Sequence, residues 1–298
     1  MGVLKFKLPT ECRHGILIAL QSKKDKEELV MSNLEQTCHT IRKDIVRTLS
    51  TAGCGHPGGS LSAVEIATEL YFDKMHIDPK NPRDPNRDRF VLSKGHATLM
   101  LYSVLAERGY FPVEELQNFR KNWSRLPGHP DMNKVPGADM TTGSLGQGLA
   151  VANGMALAGK RQGRDYYVYV LMGDGEQQEG MIWEAAMAGA HYKLDNVIAF
   201  VDRNGLQIDG PTEQVMGLEP LADKWRSFGW HVQEIDGHDL DAISAAVDAA
   251  KSVKDKPSVI IAKTVKGKGV SFMENKVEFH GKAITPEQAA MAMAEMEG

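Results

Sequence analysis

From about residue 165 the chain alternates short, wholly apolar stretches with longer amphipathic ones. "YYVYVLM" (166–172) and "NVIAFV" (196–201) are apolar or aromatic at nearly every position and rich in β-branched side chains, a pattern that predicts strands buried on both faces. Between them, Gln178 to Tyr192 reads as a helix. "HVQEI" (231–235), a helix over 239–253 and "SVIIAKTV" (258–265) repeat the alternation. Strand, helix, strand units of this length predict an α/β fold, a doubly wound, mostly parallel sheet with helices on both faces.

Upstream the periodicity is helical. Leu34, Cys38, Ile41, Ile45 and Leu49 recur every three or four positions and predict a helix that stops at Gly53. It leads into "GCGHPGGS" (53–60), where five glycines and prolines in eight positions should prevent helix propagation. Ser60 or Ser62 should then cap a helix carrying Val64, Ile66, Ala67 and Leu70. "IDPKNPRDPNRDR" (77–89) is a proline-punctuated loop, and "FVLSKGHATLMLYSVLAERGY" (90–110) is a short strand, a glycine turn and a helix. Thr285 and Pro286 open a last helix. With no internal repeat or low-complexity linker, the reading is one domain over 31–298 behind an N-terminal extension of residues 1–30.

Composition narrows the function. The 298 residues are 42% hydrophobic and 25% charged, with a formal net charge of −4 from interleaved acids and bases. No long-range field of one sign results, so nucleic acid is not an expected partner. Lys263, Lys266 and Lys268 are interrupted by glycine and read as a solvated loop rather than an anion grip. No apolar run reaches the roughly 18 residues needed to cross a bilayer, and the first residues lack the order of a secretory signal. A cytoplasmic protein without a membrane partner is expected. Cys12, Cys38 and Cys54 sit at no metal-ligand spacing and read as reduced structural thiols.

The candidate chemistry lies just beyond the two central strands. In an open parallel sheet, ligands collect past the carboxyl ends of the strands, and here those ends are "GDGEQQEG" (173–180) and "DRNGLQIDG" (202–210). By itself Gly173-Asp174-Gly175 is compatible with a surface turn. Asn204 at the end of the next strand changes that. Asp174 offers one hard oxygen, Asn204 a second, and a backbone carbonyl near Leu206, in a loop bent by Gly205, a third. Such a set suits Mg²⁺ when water and a bound diphosphate complete its shell. The flanking glycines would let the backbone approach the phosphates, with the N–H groups of the following helix aimed at them. Neither G-x-G-x-x-G after Gly173 nor a G-x-x-x-x-G-K-[ST] segment is present.

"GHPGGSLSAVEIATELYF", "RDRFVLSKGHA", "LPGHPD", "TTGSLGQGLAVANGMALA", "GDGEQQEGMIWEA" and "DRNGLQIDG" follow one another along the chain. In kind and order they resemble the diphosphate-binding, N-terminal half of transketolase, over roughly residues 35 to 282, and the whole looks like the N-terminal section of a split transketolase. The resemblance implies thiamine diphosphate and Mg²⁺ as cofactors, with Ca²⁺ or Mn²⁺ as substitutes. It implies metal binding by the Asp174 and Asn204 side chains and the Leu206 carbonyl, and diphosphate binding at Gly173 and Gly175 and by His96. Gly143 and Leu145 would line the junction of the cofactor's two rings, and Ile208 would pack on the thiazolium. His56, His129 and His280 would face the substrate channel, where a group titrating near 6.5 could both take and return a proton. Glu179 would lie at a subunit interface, or else serve as an acid in the first turn of a helix. His14, His39, His76, His191, His231 and His238 match nothing in the family and read as loop or surface residues.

The resemblance also implies what must come from elsewhere. The glutamate that activates the cofactor's pyrimidine belongs, in the family, to a second domain for which the text after residue 282 has no counterpart. The expectation is a separate C-terminal, pyrimidine-binding subunit, with α2β2 assembly, sugar phosphate substrates, and transfer of a two-carbon ketol unit from a ketose to an aldose. The family's phosphate-gripping residues lie in that other half, which leaves phosphorylated and sulfonated ketoses both open. The alternatives are a non-catalytic or regulatory thiamine diphosphate-binding protein, against which His56, His96 and His129 speak, and a generic nucleotide-binding domain.

Overall fold

Strands form where the chain is apolar without interruption. The computed structural model, which describes residue 31 and residues 33–297, contains β1 (Arg89–Leu92), β2 (Val168–Gly173), β3 (Val197–Arg203), a two-residue pair β4 (Leu206–Gln207) and β5 (Gly210–Pro211), β6 (His231–Asp236) and β7 (Ser258–Lys263). Five of these make one sheet in the order β1-β2-β3-β7-β6, with every pairing parallel. Alternate residues face opposite cores. Tyr169, Leu171, Ile198, Phe200 and Ile260 enter one, while Val170, Met172, Ala199, Val201 and Val259 enter the other. Both faces are therefore buried, which is why these strands lack polar alternation.

The helices are α1 (33–52), α2 (Pro57–Leu61), α3 (Val64–Glu69), α4 (Thr98–Glu107), α5 (Gln147–Arg161), α6 (Gly180–His191), α7 (Thr212–Val215), α8 (Leu221–Ser227), α9 (Leu240–Ser252) and α10 (Pro286–Glu295). Residues of α1, α3, α4, α9 and α10 cover the first face, and those of α5, α6 and α8 the second. This is the doubly wound α/β architecture expected. Thr285 and Gln288 form a reciprocal capping box with Pro286 at the first position of α10.

Two local expectations are overturned. "GCGHPGGS" does not stay irregular: Pro57–Leu61 is a short buried helix with proline in its first turn. Packing overrides propensity there, since a Cβ on Gly58 would lie 2.8 Å from the Phe279 carbonyl oxygen and 2.9 Å from Lys266 Cγ. Nor does Ser60 or Ser62 cap α3, whose N-cap is Ala63 without a side-chain bond. Ser60 Oγ donates to the His56 carbonyl at 2.8 Å, and Ser62 Oγ to Asp202 Oδ2 at 2.7 Å.

Cys38 and Cys54 are free thiols, and burial pushes the Cys38 thiol up to about 12, which makes it inert. Cys12, His14 and the 1–30 extension lie outside the described residues. Among the described residues no helix is long and apolar enough to cross a membrane.

Candidate active site

Four of the five strand ends in the sheet meet at one cleft. Lys94 follows β1, Gly173 to Gly175 close β2, Asp202 to Leu206 close β3, and Lys266 follows β7. The parallel register sets Gly173 level with Asp202, so the two polar strand ends lie side by side. Ten of the residues singled out from sequence line this cleft: His96, Leu145, Gly173, Asp174, Gly175, Glu179, Asn204, Leu206, Ile208 and His280. His56, His129 and Gly143 adjoin it. The His56 ring centroid is 5.5 Å from that of His96, 5.7 Å from His280 and 6.3 Å from His129, and His96 is 5.0 Å from His280. Gly143 has φ +151°, and a Cβ there would lie 3.3 Å from the His129 ring.

The carboxylate of Asp174 is nearly sealed from solvent. Its Oδ1 accepts the Gly175 N–H at 2.7 Å; Oδ2 accepts the Gly205 N–H at 2.5 Å and Arg203 Nη1 at 3.3 Å. Asn204 Oδ1 accepts the Leu206 N–H at 3.1 Å, and the Leu206 carbonyl accepts Lys266 Nζ at 3.2 Å. Burial, and then the neighbouring Asp202, hold the Asp174 carboxyl above the usual carboxylate range despite these donors. Cations already stand close by, since Lys94 pairs with Asp202, Arg203 contacts Asp174 and Lys266 Nζ sits on the Leu206 carbonyl. What suits a divalent cation of the Mg²⁺ or Ca²⁺ kind is the donor set itself, hard oxygens from a carboxylate, an amide and a carbonyl. Among the described residues no cluster of three His, Cys, Asp or Glu side chains could hold a metal, so a cation here depends on the amide, the carbonyl and a bound anion.

Several residues that build the cleft went unread in the sequence. Asp202 is fully buried; its Oδ2 accepts Lys94 Nζ at 2.5 Å, Ser62 Oγ at 2.7 Å and Asn204 Nδ2 at 3.1 Å, and its Oδ1 accepts Thr264 Oγ1. Burial alone would raise this carboxyl, but Lys94 and the hydroxyl donors hold it below the usual range. Glu176, also buried, bolts three loops together: it accepts Ser93 Oγ, the Gly146 N–H at 2.9 Å and the Gly173 N–H at 2.9 Å. A charged residue at or just past the end of a wholly apolar strand is the only sequence signal either one leaves.

The reading of Lys263, Lys266 and Lys268 as a solvated loop fails at Lys266, only 2% of which is exposed, while Lys263 is exposed and Lys268 half-buried. The turn is folded back on α2, where the Gly267 N–H donates to the Gly58 carbonyl at 3.0 Å. His238, read as a loop or surface residue, lies in the loop after β6 and holds this turn. Its Nδ1 meets Glu65 Oε2 at 2.9 Å and its Nε2 accepts the Val265 N–H at 2.8 Å. Arg42, paired with the same Glu65, donates from Nε to the Lys268 carbonyl at 3.2 Å. The helix read over Gln178 to Tyr192 is α6, Gly180–His191, and a 3₁₀ turn over Gly175–Gln178 separates it from Asp174. The Gly175 N–H is spent on Asp174 itself rather than aimed at an anion. Glu179 occupies the N-cap position of α6, is exposed, and makes no capping bond.

The histidines are not poised near 6.5 in the free chain. Burial first, then Lys94 and His280, hold the His96 imidazole well below its ordinary value. Burial and then Lys266 pull His280 down to about 3. His56 and His129 are lowered mainly by burial as well. All four are neutral proton acceptors near pH 7. Their contribution to stability is intact above 6.5, where both folded and unfolded imidazoles are neutral, and is lost as pH falls, because the unfolded chain takes up protons first. For His280 that window runs from 6.5 down to about 3. Imidazole NMR titration from about pH 8 to about pH 5 should leave His280 neutral; a midpoint near 6.5 would contradict this account.

The family description "Transketolase, thiamine diphosphate binding domain" matches residues 34–296. The chain is similar to the 6-deoxy-6-sulfo-D-fructose transketolase subunit SqwG of Clostridium sp. (strain MSTE9), at 50% identity over 265 residues covering 89% of this chain and 96% of that protein. It is similar to an apulose-4-phosphate transketolase subunit of Phocaeicola vulgatus, at 45% identity over 266 residues, covering 89% and 94% of the two chains. Among solved structures it is similar to the Pichia stipitis transketolase in complex with sedoheptulose-7-phosphate, with a TM-score of 0.85 and 38% identity. That match covers 89% of this chain and only 40% of the other.

Proposed function

The chain belongs to the transketolase family, as its N-terminal, thiamine diphosphate-binding section, and from that premise we propose that it is one component of a two-chain transketolase. The complete enzyme would move a two-carbon ketol unit from an anionic ketose to an aldose, in the cytoplasm. The observation that carries this is the meeting, in one cleft, of the Asp174, Asn204 and Leu206 oxygens with Lys266 and the histidine cluster. Two relatives of nearly the same length bear the name of a transketolase subunit. This supports a separate pyrimidine-half partner, and in our reading the two chains assemble as α2β2 with the exposed Glu179 facing that partner.

In this reading Asp174, Asn204 and the Leu206 carbonyl hold Mg²⁺, or Ca²⁺ or Mn²⁺ in its place, against the diphosphate. Gly173 and Gly175 let the backbone come close, and His96 and Lys266 face the phosphate oxygens. Gly143 and Leu145 line the junction of the two rings, and Ile208, exposed on the rim, packs on the thiazolium. Thiamine diphosphate, when bound, supplies the electron sink for carbon-carbon cleavage. His56, His129 and His280 take the proton of the donor hydroxyl and return one to the acceptor's aldehyde oxygen. Their neutral state in the free chain suits the first of those tasks. A non-catalytic binding protein would have no use for four imidazoles grouped in this way.

Ligand-dependent melting tests the reading. At about 100 times its dissociation constant a ligand adds about 2.7 kcal/mol, a rise of roughly 4–5 °C for a chain of this size. Thiamine diphosphate with Mg²⁺ should give that rise and ATP or NAD should not; stabilisation by a nucleotide in preference would reject the proposal.

A further inference from the structure

The loop that delivers His129 carries a second feature. Every carbonyl from Leu126 to His129 is fastened. Leu126 accepts the Arg120 N–H at 2.8 Å. Pro127 and His129 accept Tyr102 Oη at 3.1 and 3.3 Å, and Gly128 accepts Thr98 Oγ1 at 3.1 Å. Thr98 and Tyr102 stand on α4, which begins directly after the turn holding His96, so the loop and the histidine cluster share one anchor.

Arg120 closes this loop with φ +62°, a backbone conformation uncommon for a residue with a side chain. Its guanidinium lies against Gly128, the residue before His129. A Cβ there would fall 2.9 Å from Arg120 Nε and 3.0 Å from Cζ. Arg87 and Arg125 are each spent on a carboxylate, Asp139 and Glu115 respectively. Among the described residues the Arg120 guanidinium has no ion-pair or hydrogen-bond partner, and the residue is exposed. Its charge is felt by His129 and His56, whose imidazoles are lowered by burial first and by Arg120 among the neighbouring charges.

We propose that Arg120 is a specificity-determining residue that grips the anionic terminus of the sugar, a phosphate or a sulfonate, while the reacting end lies among the histidines. A planar fork of unspent donors matches a tetrahedral oxyanion. Gly128 leaves room for it, and the fastened loop fixes its distance from His129, which sets the span between the sugar's tail and its reacting carbon. This assigns to the present chain part of the substrate's charge recognition. It rests on the transketolase reading.

The test is ketol transfer by the chain combined with its pyrimidine-half partner, using a phosphorylated ketose, its sulfonated counterpart and an uncharged ketose of the same length. Arg120→Gln should lower kcat/KM for the anionic donors about tenfold relative to the uncharged one. The loss should appear in KM rather than kcat, as for an interaction made equally in ground and transition states. Arg120→Lys should recover part of it, and Gly128→Ala, which displaces the guanidinium, should shift the ratio in the same direction. Loss of preference for one anion alone identifies the terminal group. An unchanged anionic-to-uncharged ratio in both Arg120 variants overturns the proposal and leaves the transketolase reading standing. No transfer from any donor by the unsubstituted complex overturns that reading itself.

Discussion

Substitution of Asp174 by asparagine is expected to leave the unliganded protein nearly as stable as before, and to abolish the Mg²⁺-dependent rise in melting temperature with thiamine diphosphate. Burial and Asp202 already disfavour negative charge on Asp174, so the free protein loses little when that charge is removed. The amide still offers an oxygen to the Gly205 N–H, and Arg203 keeps Glu213 and Glu219 as partners, so the loss is confined to the Gly175 N–H, which then faces the amide NH2, at about 1 kcal/mol. The cation, in contrast, loses the one charged ligand that this chain would supply among Asp174, Asn204 and Leu206. Ketol transfer should fall by on the order of a hundredfold or more. Asp174→Ala should add a stability loss of about 1–3 kcal/mol, because the Gly175 and Gly205 N–H groups lose their acceptor. The two substitutions together separate the structural duty of this side chain from its metal duty. A Mg²⁺ response that survived in both would remove Asp174 from the site.

The largest effect on the fold should come from Asp202→Ala. This carboxylate is the ion-pair partner of Lys94, and both side chains are sealed from solvent. Without it Lys94 keeps only the Gly59 carbonyl, at 2.6 Å, and an uncompensated charge is left inside the protein. Breaking a buried pair in this way costs about 3–5 kcal/mol, or on the order of 10 °C in melting temperature for a chain of this size. Removing both charges in Lys94→Met with Asp202→Leu should recover the part of that loss due to the unpaired ammonium, though not the part due to Ser62 and Thr264 losing their acceptor. Urea unfolding of Lys94→Met, Asp202→Leu and the double variant would measure the coupling. Equal losses in Asp202→Ala and the double variant would show that the pair does not balance a buried charge.

These two aspartates mark how far the sequence could be read. The parallel sheet is legible because "YYVYVLM", "NVIAFV" and "SVIIAKTV" have no polar face to present to water. Asp174 is legible because glycines on either side of an acid at a strand end, with Asn204 at the next, form a pattern that a turn does not need. Asp202 is not, since its role depends on Lys94, 108 residues earlier, and nothing local announces the pairing. Lys266 fails for the same kind of reason. "KTVKGKG" has the composition of a solvated turn, and only the tertiary fold, with His238 and Arg42 holding it through Glu65, turns that lysine inward. The helix at Pro57–Leu61 defeats local reasoning in the opposite sense, because its glycines are there to be packed against. The protonation of the histidines follows from burial, which spacing along the chain does not reveal.

The central claim is that this chain supplies the diphosphate-binding half of an active site completed by a second polypeptide. Its most direct test is ketol transfer measured with thiamine diphosphate and Mg²⁺ for the chain alone, for the pyrimidine-half polypeptide alone, and for the two mixed. Transfer is expected from the mixture, dependent on both cofactors, and none from either chain by itself. Full transfer by this chain in isolation, or none from the mixture, would contradict it.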